Sequence, residues 1–156
     1  MAVLNEKISN TKTITVIKTI KHITVETMTY EELKTKVEEF EALIQSGSDY
    51  ALAETQAREL LNVKALSTGE GLGEVELHAR TLLALSESLW RRGLAQDALP
   101  YTELALTLAE LIESKELQAK ALGNIGLVHL YLSDYSRALE YYDKGLALHE
   151  ELGNKA

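Results

Sequence analysis

Four histidines, a glycine-rich stretch, one tryptophan and a cluster of tyrosines are the residues of this 156-residue chain whose types could do chemistry. His22, His78, His129 and His149 would need a second ligand at helical spacing to hold a metal ion, and none has an i,i+4 partner of that kind. The run His149-Glu150-Glu151 invites the idea but reads as a solvated helix end. Gly69, Gly71 and Gly73 could cradle a phosphate, yet no Lys-Ser or Lys-Thr pair follows and Glu70 and Glu74 would repel an anion. Ser67 to Gly73 is therefore read as a linker. Serine and acidic residues are plentiful, but no strand-turn-helix elbow sets one up as a nucleophile. The absence of cysteine removes thiolate metal sites, disulfides and cysteine nucleophiles together. No catalytic residue, metal site or cofactor is expected, and the chain is read as not an enzyme. Trp90 with Tyr131, Tyr135, Tyr141 and Tyr142 could stack on bases. At helical spacing in acidic surroundings, they read instead as packing or groove lining.

The elements that would position these residues are helical from residue 30 onward. The hydrophobic fraction is 46%, with one proline and nine glycines, so long loops have little room. Sixteen basic against 24 acidic side chains give a net charge of −8. Residues 1–30 hold Lys7, Lys12, Lys18 and Lys21 against Glu6 and Glu26, a balance of +2 that leaves −10 for the rest. An acidic body disfavours nucleic acid and anionic membranes, which need clustered cations. No apolar run approaches the roughly 20 residues needed to span a bilayer, and no secretory signal opens the chain, so a cytoplasmic protein is expected.

Residues 1–29 form an N-terminal arm, expected to be extended or partly disordered. From Thr11 to Thr27 it is dense in β-branched residues, which suit a pleated surface. Ile14 and Val16 alternate on one parity and Ile23 and Val25 on the other, so one flat strand cannot bury them all without a bulge near Lys18 to Lys21. A helical reading also exists, since Ile14, Ile17, Ile20 and Ile23 recur every three residues. Thr29-Tyr30-Glu31-Glu32 has the form of a capping box, and a helix should run from there to about Gln45 through Leu33, Val37, Phe40 and Ile44. Tyr50 to about Leu66, Glu74 to Arg92, and about Ala95 or Asp97 to Ser114 are the next helices. Pro100 is tolerated best if Asp97 is the N-cap.

Placing residues 116–156 under 76–116 aligns them without a gap, with Leu122 on Leu82, Ser133 on Gly93, Ala138 on Ala98, Tyr141 on Tyr101 and Leu146 on Leu106. A 40-residue period in helical sequence means a stacked solenoid, because no single hairpin buries its own apolar face. The stretch Leu122-Gly123-Asn124-Ile125-Gly126, followed by Ser133-Asp134-Tyr135-Ser136-Arg137-Ala138-Leu139-Glu140-Tyr141-Tyr142, resembles the tetratricopeptide repeat (TPR). The longer spacing is similar to a subclass found in bacterial signalling proteins. The resemblance is strongest over 114–156, fainter over 74–113 and faintest over 30–66. His129 stands where the family has an aromatic, Gly145 where it has an alanine, and Leu94-Ala95 where it has the pair seen at Asp134-Tyr135. The expected fold is all-α, a TPR-like solenoid of about three hairpins and six helices over 30–156, with hairpins at about 30–66, 74–113 and 114–152. Gly126, Ala138 and Gly145 fall where helices must approach closely, with Leu122, Ile125, Leu139 and Tyr142 as the apolar stripe.

The resemblance implies that the first helix of each repeat lines a groove for a protein or peptide partner. Carried onto this chain, that groove holds Arg80, Leu83, Ala84, Glu87 and Arg91 from one repeat and Lys120, Gly123, Asn124, Leu127 and Tyr131 from the next. Lys120 and Asn124 share one helical face and resemble part of the carboxylate clamp of chaperone-binding members. Ala84 stands where a second Asn is expected, which leaves that clamp incomplete. The expected function is a non-enzymatic interaction scaffold, a regulatory or sensory segment of a larger signalling protein. The alternative is a homo-oligomerisation module in which Ile14, Val16, Ile17, Ile20, Ile23 and Val25 pair with another copy, since nothing else in the chain looks able to complete a sheet. A solenoid ordinarily ends in a helix with a polar outer face. None is visible before Ala156, so either a longer protein or a partner on that end is expected.

Overall fold

A computed structural model of the chain describes residues 27–61, 64–65 and 71–153. Within them six helices follow in order: α1 (Tyr30–Ser46), α2 (Tyr50–Leu61), α3 (Gly71–Arg91), α4 (Ala95–Leu111), α5 (Lys115–Tyr131) and α6 (Tyr135–Gly153). They pair into three antiparallel hairpins. Each second helix packs on the first helix of the next hairpin, while α1, α3 and α5 stand side by side. Over the described residues the chain is the all-α solenoid of six helices that its period implies.

Local chemistry sets the boundaries. Glu32 N–H donates to Thr29 Oγ1 at 3.3 Å and Thr29 N–H donates to Glu32 Oε2 at 2.8 Å, so the capping box is closed. Leu33, Val37, Phe40 and Ile44 then fall on the buried side of α1. Three later turns share one geometry. The N–H of Leu94, Ser114 and Asp134 donates back to the carbonyl of Leu89, Ala109 and His129, each at 2.9 Å. The residue before each is left-handed: Gly93 at φ 80°, Glu113 at 55° and Ser133 at 62°. This is the Schellman closure, which satisfies carbonyls that the helix end would leave bare. Its recurrence every 20 residues divides each 40-residue repeat into two equal helices.

Four expectations need correction. α2 ends at Leu61 rather than near Leu66, because Lys64–Ala65 (β2) leaves the helix to pair in parallel with Thr27–Met28 (β1), Thr27 opposite Lys64 and Met28 opposite Ala65. The chain therefore does supply a partner for the end of its arm. Met28 is buried and belongs to the same core cluster as Leu33 and Leu60, so the short pairing is anchored in the core. Ile14, Val16, Ile17, Ile20, Ile23 and Val25 lie outside the described residues. α3 begins at Gly71, inside the stretch read as linker; Gly73 is needed there because a Cβ would stand 2.9 Å from the Tyr30 ring. α4 is capped by Leu94, not Asp97, whose acid instead falls in the first turn. Pro100 therefore sits inside the helix and leaves the Gln96 carbonyl without a helical donor. Finally, Leu139, expected on the packing stripe, is 64% exposed.

Two buried clusters run through the array. One joins the α1 stripe to Ala53, Ala57, Leu77, Leu85, Leu89, Ala98 and Val128. The other joins Leu82 and Leu83 of α3 to Ala105 and Ala109 of α4 and to Leu117 and Ala121 of α5. Small residues on α4 let α3 and α5 approach it from both sides. Of the polar groups in the interior, Thr81 donates to the Leu77 carbonyl at 2.8 Å and Ser86 shares a hydrogen bond with Thr102, whereas the Ser88 hydroxyl is buried without a protein partner. No helix among the described residues is long and apolar enough to cross a membrane.

Candidate functional site

The groove residues lie on α3 and α5, neighbours on one side of the array. Their side chains divide into three kinds. Leu83 and Ala84 are buried, Leu83 at 8% exposure within the α3–α4–α5 cluster, so they position the helices rather than meet a ligand. Arg80 is engaged: its Nε and Nη2 donate to Glu41 Oε1 and Oε2 at 2.9 and 2.5 Å. The Glu41 hydrogen bonds hold the guanidinium above its ordinary pKa against the opposing effect of burial, with Glu38 and Glu76 adding to the rise. A bidentate pair of this geometry ties α1 to α3. Glu41 does not stand out in the sequence, where it is one of five acids in α1 and nothing marks its reach to a residue 39 positions away.

The third kind faces solvent. Arg91 donates from Nε to Glu87 Oε1 at 2.9 Å, one turn back on α3, and its guanidinium carbon lies 4.9 Å from the centre of the Trp90 ring. The Glu87 hydrogen bond raises the Arg91 pKa, with burial opposing it and Tyr50 contributing. Trp90 in turn stacks on Tyr131 of α5, centroids 5.3 Å apart and planes 25° from parallel. Tyr131 remains 56% exposed. A cation, an indole and a phenol thus form a continuous shelf across the ends of α3 and α5. Trp90 Nε1 is out of solvent and donates to no protein group. The sequence marks Trp90 only as an aromatic of a helix; its role as the centre of the shelf depends on α5 ending beside it.

Lys120 lies further back along α5, its Nζ 3.5 Å from Glu116 and well exposed. Asn124 and Leu127 are partly exposed between it and Tyr131. Gly123 has open space where a Cβ would be. The structure thus brings Glu87, Trp90, Arg91 and Tyr131 together, while Arg80 and Leu83 belong to the scaffold beneath.

Of the histidines, His129 has a packing role and His149 is exposed. His129 is buried, stacks on Tyr141 at 5.5 Å with planes 6° apart, and has Asp134 Oδ2 3.7 Å from its Nδ1. It thereby fills the aromatic position it replaces. Tyr142 has its hydroxyl pKa pushed up, chiefly by burial and secondarily by Tyr131. Among the described residues, no group of three or more histidines and acids is placed to hold a metal ion.

Comparison with known proteins bears on this arrangement. The family model described as tetratricopeptide repeat matches residues 77–151, which include the shelf and both helices of the last hairpin. Among solved structures, the TPR domain of Arabidopsis FLU superposes with a TM-score of 0.64 at 21% identity, over 78% of this chain and 97% of that one. At that identity the likeness is one of fold. No curated protein matches the chain.

Proposed function

Residues 77–151 belong to the tetratricopeptide repeat family, and from that premise we propose that the chain is a non-enzymatic scaffold that binds a peptide or protein segment across the ends of α3 and α5. The observation that carries this reading is the shelf of Arg91, Trp90 and Tyr131. Its aromatic surface is exposed yet held in place by stacking, so a ligand meets a preformed anchor and little side-chain entropy is lost on binding. Lys120 and Asn124 extend the face along α5 toward an acidic or amide-bearing neighbour of the anchoring residue. In this reading the chain is a regulatory or sensory segment of a signalling protein and works in the cytoplasm. Self-association by pairing of Ile14, Val16, Ile17, Ile20, Ile23 and Val25 with their own copies is the weaker reading. The adjoining strand residues already have their partner within the chain.

Selection of peptides from a displayed random library against the whole chain tests the reading. Enriched peptides should lose about thirtyfold in affinity on Tyr131→Ala, the scale of an interface anchor, with helicity unchanged. Peptides that bind Tyr131→Ala and Arg91→Ala as tightly as the unaltered protein would place the site elsewhere.

A further inference from the structure

We infer that the N-terminal arm folds back onto the outer face of α4 in its own chain and covers an apolar stripe there. The inference stands apart from the peptide shelf, which lies on α3 and α5, and does not depend on it.

The stripe is Pro100, Leu104, Thr107 and Leu111, spaced by four, three and four residues, so all share one side of α4. All four are exposed, Leu104 at 48% and Leu111 at 67%. The neighbouring helices of the array do not reach them: α3 and α5 pack on the opposite side of α4, through Ala98, Thr102, Ala105 and Ala109. The repeat supplies its own control. Forty residues later the same positions on α6 are Glu140, Lys144, Ala147 and Glu151, and the three charged ones are held in ion pairs. Packing between successive hairpins therefore does not ask for leucine at 104 and 111. Large apolar groups in line on a solvent-facing helix mark a contact surface.

Charge narrows the occupant. α4 carries Asp97, Glu103 and Glu110 and no lysine or arginine. Asp97 lies at the start of the stripe, and Glu103 and Glu110 flank it along one edge. All three are exposed, and none is in an ion pair among the described residues. Two copies of α4 packed face to face would set these acids against themselves. A covering segment must instead bring aliphatic groups and cations together. The arm has that composition, with Lys12, Lys18 and Lys21 interspersed among Ile14, Val16, Ile17, Ile20 and Ile23.

Position assigns the arm of the same chain. The arm ends at Thr27 and Met28, held by Lys64 and Ala65 just beyond α2. Leu61, the last residue of α2, packs against the cluster that holds Ala105 and Ala109. The arm is thus tethered at the end of α4 where Leu111 stands. One helix spacing of about 8–10 Å separates them, a gap of about three extended residues. From Pro100 to Leu111 the stripe is roughly 16 Å long, or about five extended residues. The arm therefore reaches Leu111 near Ile23 and Pro100 near Lys18, with chain to spare. A tether this short gives the arm an effective concentration on the order of millimolar, far above that of another copy in dilute solution.

The test uses full-length protein. The chain has no cysteine, so Gln96→Cys, exposed at the start of α4, accepts one spin label. With isoleucine methyl groups isotopically labelled in the same molecule, the signals of Ile14, Ile17 and Ile20 should lose most of their intensity. That loss should persist when the doubly labelled protein is diluted into unlabelled protein. It should disappear with Leu104→Glu and Leu111→Glu together, exposed positions whose change should leave helicity intact. Lys18→Glu with Lys21→Glu, which leaves the stripe and the helices untouched, should also restore intensity. Loss seen instead between spin-labelled molecules and separate methyl-labelled ones, and abolished by the dilution, would overturn the chain's own arm in favour of a second copy's. No loss at all would overturn the docking and leave the stripe to another protein. Loss that survives both pairs of substitutions would place the arm elsewhere and overturn it equally.

Discussion

Gly126 of α5 lies directly beneath the ring of Tyr142 on α6. A Cβ at Gly126 would stand 2.8 Å from Cε1 and 2.9 Å from Cδ1 of that ring. Gly145, one turn further along α6, has a different setting: its added Cβ would meet the Ala119 carbonyl and the Leu122 Cβ at 3.5 Å, an ordinary contact. Two glycines of one hairpin thus have opposite meanings.

Gly126→Ala should destabilise the chain by about 1 kcal/mol or more, the cost of overpacking exceeding the gain in helix propensity. In a Tyr142→Ala background the same change should become stabilising by about 1 kcal/mol, the propensity gain alone. Gly145→Ala, which restores the family's usual residue, should stabilise by up to about 1 kcal/mol without any second change. Urea denaturation of the four variants checks the signs.

Glu113 and Ser133 hold left-handed backbone where the matching position in the preceding turn is Gly93. Glu113→Gly and Ser133→Gly should each raise stability by about 1 kcal/mol, since the left-handed conformation costs a residue with a Cβ roughly that much. Gly93→Ala should lower it by a similar amount. Thermal melts of the three variants decide the matter.

Replacing Arg80 with Gln should cost about 0.5–1 kcal/mol, a partly exposed pair being worth no more. It should leave peptide binding at the shelf within a factor of about two, because Arg80 meets Glu41 rather than the ligand. A large loss of binding with unchanged stability would return Arg80 to the groove.

Glu32, Glu54 and Glu140 all have pKa values below the ordinary carboxylate range. The causes are the Thr29 backbone and hydroxyl for Glu32, Arg58 and then Arg92 for Glu54, and Lys144 for Glu140. A carboxyl depressed in the folded state contributes stability that is fully present above its unfolded pKa, about 4.3, and is lost as pH falls through the folded value. Tm should therefore be level from neutral pH down to about 5 and fall below that. Glu54→Gln should flatten part of the acid slope while lowering Tm at neutral pH. The opposite sign holds for Lys144, raised by Glu140: its contribution is present below its unfolded pKa and is lost as pH rises through the folded one.

Much of the architecture was legible in the order of residues. The capping box at Thr29, the α1 stripe and the 40-residue period each follow from rules that operate within one helix or one turn, where spacing along the chain is spacing in space. The alignment of Ser133 with Gly93 put the two turns in register, but the left-handed backbone they share is visible only in the structure. Glu113, the turn between them, carried no such mark, because neither its charge nor its size announces positive φ. The same limit hid the start of α3 at Gly71, two residues before Gly73, where the backbone lies close to the Tyr30 ring.

By itself, then, the sequence determined the helices, their pairing and the kind of protein this is, since apolar period and turn closure are local properties. Only the tertiary structure decided which predicted groove residues are free. Arg80 is committed to Glu41 and Leu83 to the core, whereas Trp90 becomes the centre of a shelf because Tyr131 arrives from the next repeat. It also left Leu139 in solvent, a position whose equivalent, Leu99, is covered by α5. Burial is a property of what packs alongside, and no residue specifies its neighbour alone.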